Sequence, residues 1–119
     1  MQSVTNQSPT HKPSVCIIGC LHGDEIIGKK VIKSLDNLRI KKSIFSTIIA
    51  HPQALKQNKR YLVQDLNRSF PGDAHGNTEQ KIASQLLQII TKYDLVIDIH
   101  ATNSNINSLA IITKLNKGI

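Results

Sequence analysis

Tryptophan is absent from the 119 residues, and two tyrosines and two phenylalanines make up the whole aromatic complement. A surface that stacks nucleobases needs aromatic side chains among basic ones, so this scarcity disfavours nucleic acid as a partner. It also leaves core packing to aliphatic side chains. Cysteine occurs twice, at positions 16 and 20. On one extended strand their Cα atoms would lie roughly 13 Å apart, beyond disulfide reach. C-x3-C without a second pair is also a poor zinc signature, so both read as small apolar residues. No apolar run approaches the ~20 residues of a membrane span. The opening MQSVTNQSPTHKPSV has neither a basic n-region nor an apolar h-region, and the expectation is a cytoplasmic protein with no membrane partner. Acidic residues are few: eight Asp and Glu face fifteen Lys and Arg, for a formal charge of +7. That balance favours anionic partners of any size. Lys29, Lys30, Lys33, Lys41 and Lys42 fall on a predicted helix and the loop after it, where a solvated face accounts for them.

The length suits one domain with a single core. Residues 1–13 read as a flexible polar tail and residues 14–119 as one α/β domain. "SVCIIG" (14–19) is a β-branched run ended by glycine and predicts a buried strand. From Asp24 or Glu25 the pattern turns helical, with Ile27, Val31, Leu35 and Leu38 on one face. "SIFSTIIA" (43–50) predicts a second strand, ended by Pro52. Residues 51–76 show little periodicity and read as a long working loop. Asn77 and Gln80 form a capping signature for a helix carrying Ile82, Leu86, Ile89, Ile90 and Tyr93. "DLVIDIHA" (94–101) and "SLAIIT" (108–113) predict two more strands. Alternating strands and helices favour a mainly parallel sheet with helices on both faces. Ligands of such sheets collect at the carboxyl ends of strands, which brings His22 and His100 toward one rim.

"GCLHGDE" (19–25) places His22 and Glu25 three residues apart where a strand hands over to a helix. The pair alone is weak, because a glutamate at a helix start beside an exposed loop histidine explains it better. With His100 it becomes three nitrogen and oxygen donors, the set a catalytic zinc takes while keeping a position open for water. Asp98, two residues before His100, points to the same face of an extended strand and either orients that imidazole from behind or solvates the strand end. Asp24 reads as a cap. In "KRYLVQDLNRSFPGD" (59–73), Arg60 and Arg68 are two of only three arginines. Guanidinium matches a carboxylate fork as ammonium cannot, and Asn67 adds a neutral donor. His51 and His75 read as loop histidines and His11 as part of the tail. Glu79 suits a dipole-complementing role better than proton transfer, and Asp65 and Asp73 are loop candidates for a general base without supporting context.

Taken in order, "GCLHGDE", "HPQALKQNKRYLVQDLNRSFPG" and "DIHAT" resemble the succinylglutamate desuccinylase and aspartoacylase family, relatives of the zinc carboxypeptidases, over about residues 14–102. The resemblance implies a truncated zinc carboxypeptidase-like fold. It further implies a zinc-dependent amidohydrolase that removes an acyl group from a small anionic N-acyl amino acid. By the same resemblance, His22, Glu25 and His100 hold one Zn2+ that lowers the pKa of water toward ~7. Arg60 polarises the scissile carbonyl, and Asn67 with Arg68 holds the substrate carboxylate. Two departures stand out. His51 occupies the place where the family usually has asparagine before Pro52. The family pattern also runs well past residue 119, with a general-base glutamate, residues that read the amino-acid side chain and a β-rich portion, so full activity is expected to need that sequence. A second copy of the chain and a C-terminal partner segment are the two candidates for covering an incomplete sheet. The alternatives are a metal-binding relative without catalysis and a basic module that binds anions or nucleic acid.

Overall fold

The computed structural model describes residues 13–36, 44–101 and 109–114. In chain order they form strand β1 (Ser14–Gly19), helix α1 (Ile27–Leu35), strand β2 (Ile44–Ile49), helix α2 (Pro52–Lys56), a 3-10 turn (Leu66–Arg68), helix α3 (Thr78–Ile90), and strands β3 (Leu95–His100) and β4 (Leu109–Lys114). The sheet order is β2-β1-β3-β4. β1 runs parallel to both neighbours, and β4 closes the far edge antiparallel to β3.

Side chains alternate across a strand, and β1 uses both of its faces. Cys16 and Ile18 point to the side where Val96 of β3, Leu66 of the 3-10 turn, and Ala83 and Leu86 of α3 complete the main core. Gly19 points to the other side, against α1: a Cβ there would stand 2.9 Å from the Gly28 backbone and the Ile32 side chain. Helices therefore cover both faces of a mainly parallel sheet, as the sequence pattern predicts. Cys16 and Cys20 are free and buried, and burial pushes the Cys16 thiol up to about 11.

The predicted start of α3 is present in full. The Asn77 side chain accepts from the Gln80 amide at 3.0 Å, and the Gln80 side chain accepts from the Asn77 amide at 2.8 Å. The start of α1 differs from the expectation. Its N-cap is Ile26, no side chain caps it, and Asp24 is exposed outside the helix. Residues 22–25 instead close a tight turn through the Glu25 amide and the His22 carbonyl, 3.1 Å apart. Pro52 does more than end a strand. It opens α2, a helix too short to show a period, in which the proline's missing N–H costs nothing. The stretch 51–76 is consequently less irregular than its sequence suggests.

From β1 the chain passes through α1 to β2 on one side, then crosses to β3 on the other. The connections leaving β1 and entering β3 thus diverge and open a crevice at the carboxyl ends of these two strands. Residues 1–12 of the predicted tail, Leu38, Lys41 and Lys42 lie outside the described residues. Among the described residues no helix is long and apolar enough to cross a membrane.

Candidate metal centre

His22 follows β1 by three residues and His100 ends β3, so the crevice receives one imidazole from each wall. Two backbone features fit the loop after β1 into place. Cys20 takes a left-handed conformation (φ 57°) that turns the chain over the strand end. Gly23 lies so close to α2 that a Cβ would fall 2.2 Å from the Ala54 carbonyl carbon and 2.4 Å from the Lys59 oxygen. That approach lets the Gly23 amide donate to the Arg60 carbonyl at 3.2 Å, which ties the arginine-bearing segment to the loop.

One donor atom each from His22, Glu25 and His100 lies within 4.8 Å of the other two. The three residues are 3%, 8% and 7% exposed. His22 Nδ1 stands 2.8 Å from Glu25 Oε2 and His100 Nδ1 3.1 Å from Glu25 Oε1. Glu25 Oε1 also accepts from the Ala101 amide at 2.9 Å. Behind the rings, His22 Nε2 meets Asp65 Oδ1 and His100 Nε2 meets Asp98 Oδ2, each at 2.8 Å.

This donor set fits a divalent cation. A neutral imidazole carries one N–H, and an ionised carboxylate can only accept. If each ring gives its Nε2–H to the aspartate behind it, both Nδ1 lone pairs face the Glu25 oxygens inside a buried pocket, an arrangement that needs positive charge between them. Three carboxylates (Glu25, Asp65, Asp98) against the one guanidinium of Arg60 leave two negative charges to balance. Two imidazoles and a carboxylate, each fixed by a further partner, are also the donors zinc prefers.

The electrostatics follow the same contacts. The hydrogen bond that His100 donates to Asp98 raises the His100 pKa; burial opposes it, and the Asp98 and Glu25 charges assist it. Burial pushes the Asp65 carboxyl up, but hydrogen bonds from His22 and the Asn67 amide outweigh it and hold that carboxyl below its ordinary value.

Arg60 reaches the cluster from its rim. Its side chain is 51% exposed, with Nη1 3.5 Å from Glu25 Oε2 and Nη2 3.6 Å from Asp65 Oδ2. Asp24, Glu25, Arg60 and Ala101 line a polar cavity of about 150 Å3. The structure joins Asn67 to the cluster through Asp65, whose Oδ1 accepts the Asn67 amide at 2.9 Å. Asn67 also lines an apolar pocket of about 170 Å3 with Leu21, Phe70 and Asp98. Arg68 is exposed beside it on the 3-10 turn.

Three residues that sequence reasoning set aside belong to this architecture. Asp65, read as a loop carboxylate without supporting context, caps the 3-10 turn and backs His22. An aspartate two residues before Asn67 is a local turn signal, but its contact with His22 spans 43 residues and leaves no local trace. His51, read as a loop histidine, is fully buried and caps α2. Glu79 does sit in the first turn of α3, yet it is 0% exposed and binds His51 and three backbone amides rather than solvating a helix end. His75 is the exposed loop residue expected.

Similarity to known proteins places the chain in a family. Residues 11–116 match the model of the succinylglutamate desuccinylase/aspartoacylase catalytic domain. A probable aspartoacylase from Nostoc sp. is 34% identical in an alignment of 112 positions that covers 82% of this chain and 38% of the relative. The N-alpha-acetyl-L-2,4-diaminobutyric acid deacetylase of Halomonas elongata is 30% identical, covering 75% of this chain and 28% of its own length. Among solved structures, a succinylglutamate desuccinylase/aspartoacylase from Rhodobacter sphaeroides superposes with a TM-score of 0.67 at 30% identity, over 76% of this chain and 30% of that one. The chain thus spans only 28–38% of the length of these relatives. Within that span it belongs to the succinylglutamate desuccinylase/aspartoacylase catalytic domain family.

Proposed function

We propose that this chain carries the metal-binding part of a zinc-dependent amidohydrolase that removes an acyl group from an N-acylated amino acid, with His22, Glu25 and His100 holding one Zn2+. The observation that carries the reading is the convergence of both Nδ1 atoms on the Glu25 carboxylate while both Nε2 atoms are held by aspartates. When bound, zinc supplies a Lewis acid at the amide carbonyl and makes water a competent nucleophile near neutral pH. Asp65 and Asp98 keep each imidazole in the tautomer whose Nδ1 is free. The half-exposed Arg60 offers N–H donors at the cavity mouth to an amide oxygen gaining negative charge, a contribution on the order of 3 kcal/mol when such a donor is aligned. Asn67 and Arg68 provide a neutral donor and a planar fork for the substrate carboxylate.

The names of the relatives support the substrate class, since an aspartoacylase and a deacetylase of an N-acetylated amino acid both cleave linear amides beside a carboxylate. We assign no general base: Glu79 is fully buried on His51 and three amides, away from the cavity. Catalysis on this reading draws on sequence that the relatives carry beyond the matched third. Two free cysteines fit a reducing compartment such as the cytoplasm.

Metal analysis of the chain purified with zinc present tests the proposal. The expected result is one zinc per chain, lost in His22→Ala and in His100→Ala. A native chain that folds and stays zinc-free overturns it.

A further inference from the structure

The segment 60–65 has neither helix nor strand hydrogen bonds to fix it, yet it must present Arg60 to the cluster at one end and Asp65 to His22 at the other. Ordering such a segment costs roughly 1–2 kcal/mol per residue in backbone entropy, so something must supply the order. Glu79 does so from inside. Its Oε2 accepts from the Leu62 amide at 2.8 Å, and its Oε1 from the Val63 and Gln64 amides at 3.0 and 3.1 Å. His51 Nε2 completes the set at 2.7 Å from Oε2. The Ala54 amide donates to His51 Nδ1 at 3.3 Å, which leaves the ring proton on Nε2, directed at Glu79. Three successive amides and one imidazole therefore surround a carboxylate that is 0% exposed. The N-terminus of α3 adds a second tie through Asn77 Nδ2, which donates to Gln64 Oε1 at 2.8 Å.

We infer that Glu79, oriented by His51, is the positioning residue for the arginine arm: it sets where Arg60 and Asp65 stand over the His22–Glu25–His100 cluster without touching the cluster itself. The inference rests on the amidohydrolase reading for its functional meaning, and on the hydrogen bonds alone for its geometry. The carboxylate matters as much as the shape. Glutamine in its place presents an NH2 group toward backbone donors, so at least one of the three amide bonds must go, and an unpaired buried amide loosens the arm. The proposed metal ligands come from the turn after β1 and from β3, and Asp65, which backs His22, is also held by its own 3-10 turn through the Arg68 amide and the Ser69 hydroxyl, so loosening 62–64 disturbs Arg60 far more than metal binding.

The test uses the 119-residue chain, native and as Glu79→Gln, Glu79→Asp, Arg60→Ala and the double variant Glu79→Gln/Arg60→Ala. N-acetylglycine serves as a minimal N-acyl amino acid probe. In Glu79→Gln, amide hydrogen exchange is expected to speed up at Leu62, Val63 and Gln64 while the β1 and β3 amides keep their protection. Zinc affinity is expected to stay within about threefold, and N-acetylglycine binding to the zinc-loaded chain to weaken about tenfold or more. Glu79→Asp is expected to recover part of that loss, and the double variant to bind no worse than Arg60→Ala, the sign that both changes remove one interaction. Unchanged exchange at 62–64, additive losses in the double variant, or equal loss of zinc and probe affinity would each overturn the assignment. So would unfolding of both Glu79 variants, which would make the residue a general prop of the fold. A native zinc-loaded chain that ignores N-acetylglycine counts against the amidohydrolase reading alone, and the exchange pattern then still decides the positioning role.

Discussion

Replacing Asp65 tests whether the proposed metal ligands depend on the arm. Asp65 Oδ1 holds His22 Nε2 at 2.8 Å and the Asn67 amide at 2.9 Å, while Oδ2 stands 3.6 Å from Arg60. Asp65→Ala frees the His22 ring to rotate and removes one of the three negative charges that favour a cation here. Partners that orient a metal-bound histidine typically contribute 10- to 100-fold in metal affinity. The ion pair with the half-exposed Arg60 adds little to that, being long and screened. We therefore expect about 100-fold weaker zinc binding in Asp65→Ala, or roughly 2.7 kcal/mol. Asp65→Asn keeps an acceptor but loses the charge, and is expected to fall near tenfold. Competition against a chromogenic chelator at pH 7 and fixed ionic strength measures both, with circular dichroism as the check on folding. A folded Asp65→Ala chain that binds zinc within about twofold of native would refute the reasoning, since His22 would then be oriented by something other than Asp65.

Gly23→Ala would drive a Cβ to 2.2 Å from the Ala54 carbonyl carbon and 2.5 Å from its oxygen, both backbone atoms that cannot turn aside. Overpacking of this kind costs about 1–3 kcal/mol, so a thermal melt should show a clearly lowered Tm, and a native-like melt would contradict the packing described. Glu79 gives a pH signature. Burial pushes its carboxyl up, but the His51 and amide hydrogen bonds prevail and bring it from 4.5 down to about 2. A depressed carboxyl stabilises the fold fully above pH 4.5, and that contribution, about 3 kcal/mol, drains away as pH falls from 4.5 toward 2. Urea midpoints of the native chain and Glu79→Gln should accordingly differ most near neutral pH and converge in acid. A gap that stays constant between pH 7 and pH 3 would rule out an ionised Glu79 as its source.

What could be read from the sequence was whatever local chemistry writes. The capping box at Asn77, the β-branched runs of β1 and β3, and the alternation that puts Asp98 and His100 on one face are all near-neighbour patterns, and the structure has them. The meeting of His22 with His100 followed from topology, because both close strands that flank the same crevice. Residues whose partners lie far along the chain were illegible. Nothing near Glu79 in sequence marks it as an acceptor for amides at 62–64, and a polar residue in the first turn of a helix ordinarily faces water. His51 looked like a loop residue because α2 is five residues long and shows no period. Asp24 looked like a cap because the pattern from Glu25 onward reads as helix, whereas the chain spends residues 22–25 on a turn that aims His22 and Glu25 inward.

That turn explains why an otherwise ordinary strand–helix connection concentrates so much unfavourable chemistry. Burying Glu25, Asp65 and Asp98 around two imidazoles would be costly in a region meant only to connect elements, since unpaired buried charge is among the strongest destabilising features a fold can carry. Each group here has a partner in place, with one exception. Asp98 Oδ1 is buried and has no hydrogen-bond partner among the described residues. Two Nδ1 atoms aimed at one carboxylate, and an aspartate oxygen left over behind them, describe a centre held slightly too negative for its own stability. A divalent cation held by His22, Glu25 and His100 would offset that negative charge. Thermal stability is therefore expected to rise with zinc in the native chain and to stay flat with zinc in His100→Ala. Equal melting curves with and without zinc in the native chain would refute a cation site at this rim.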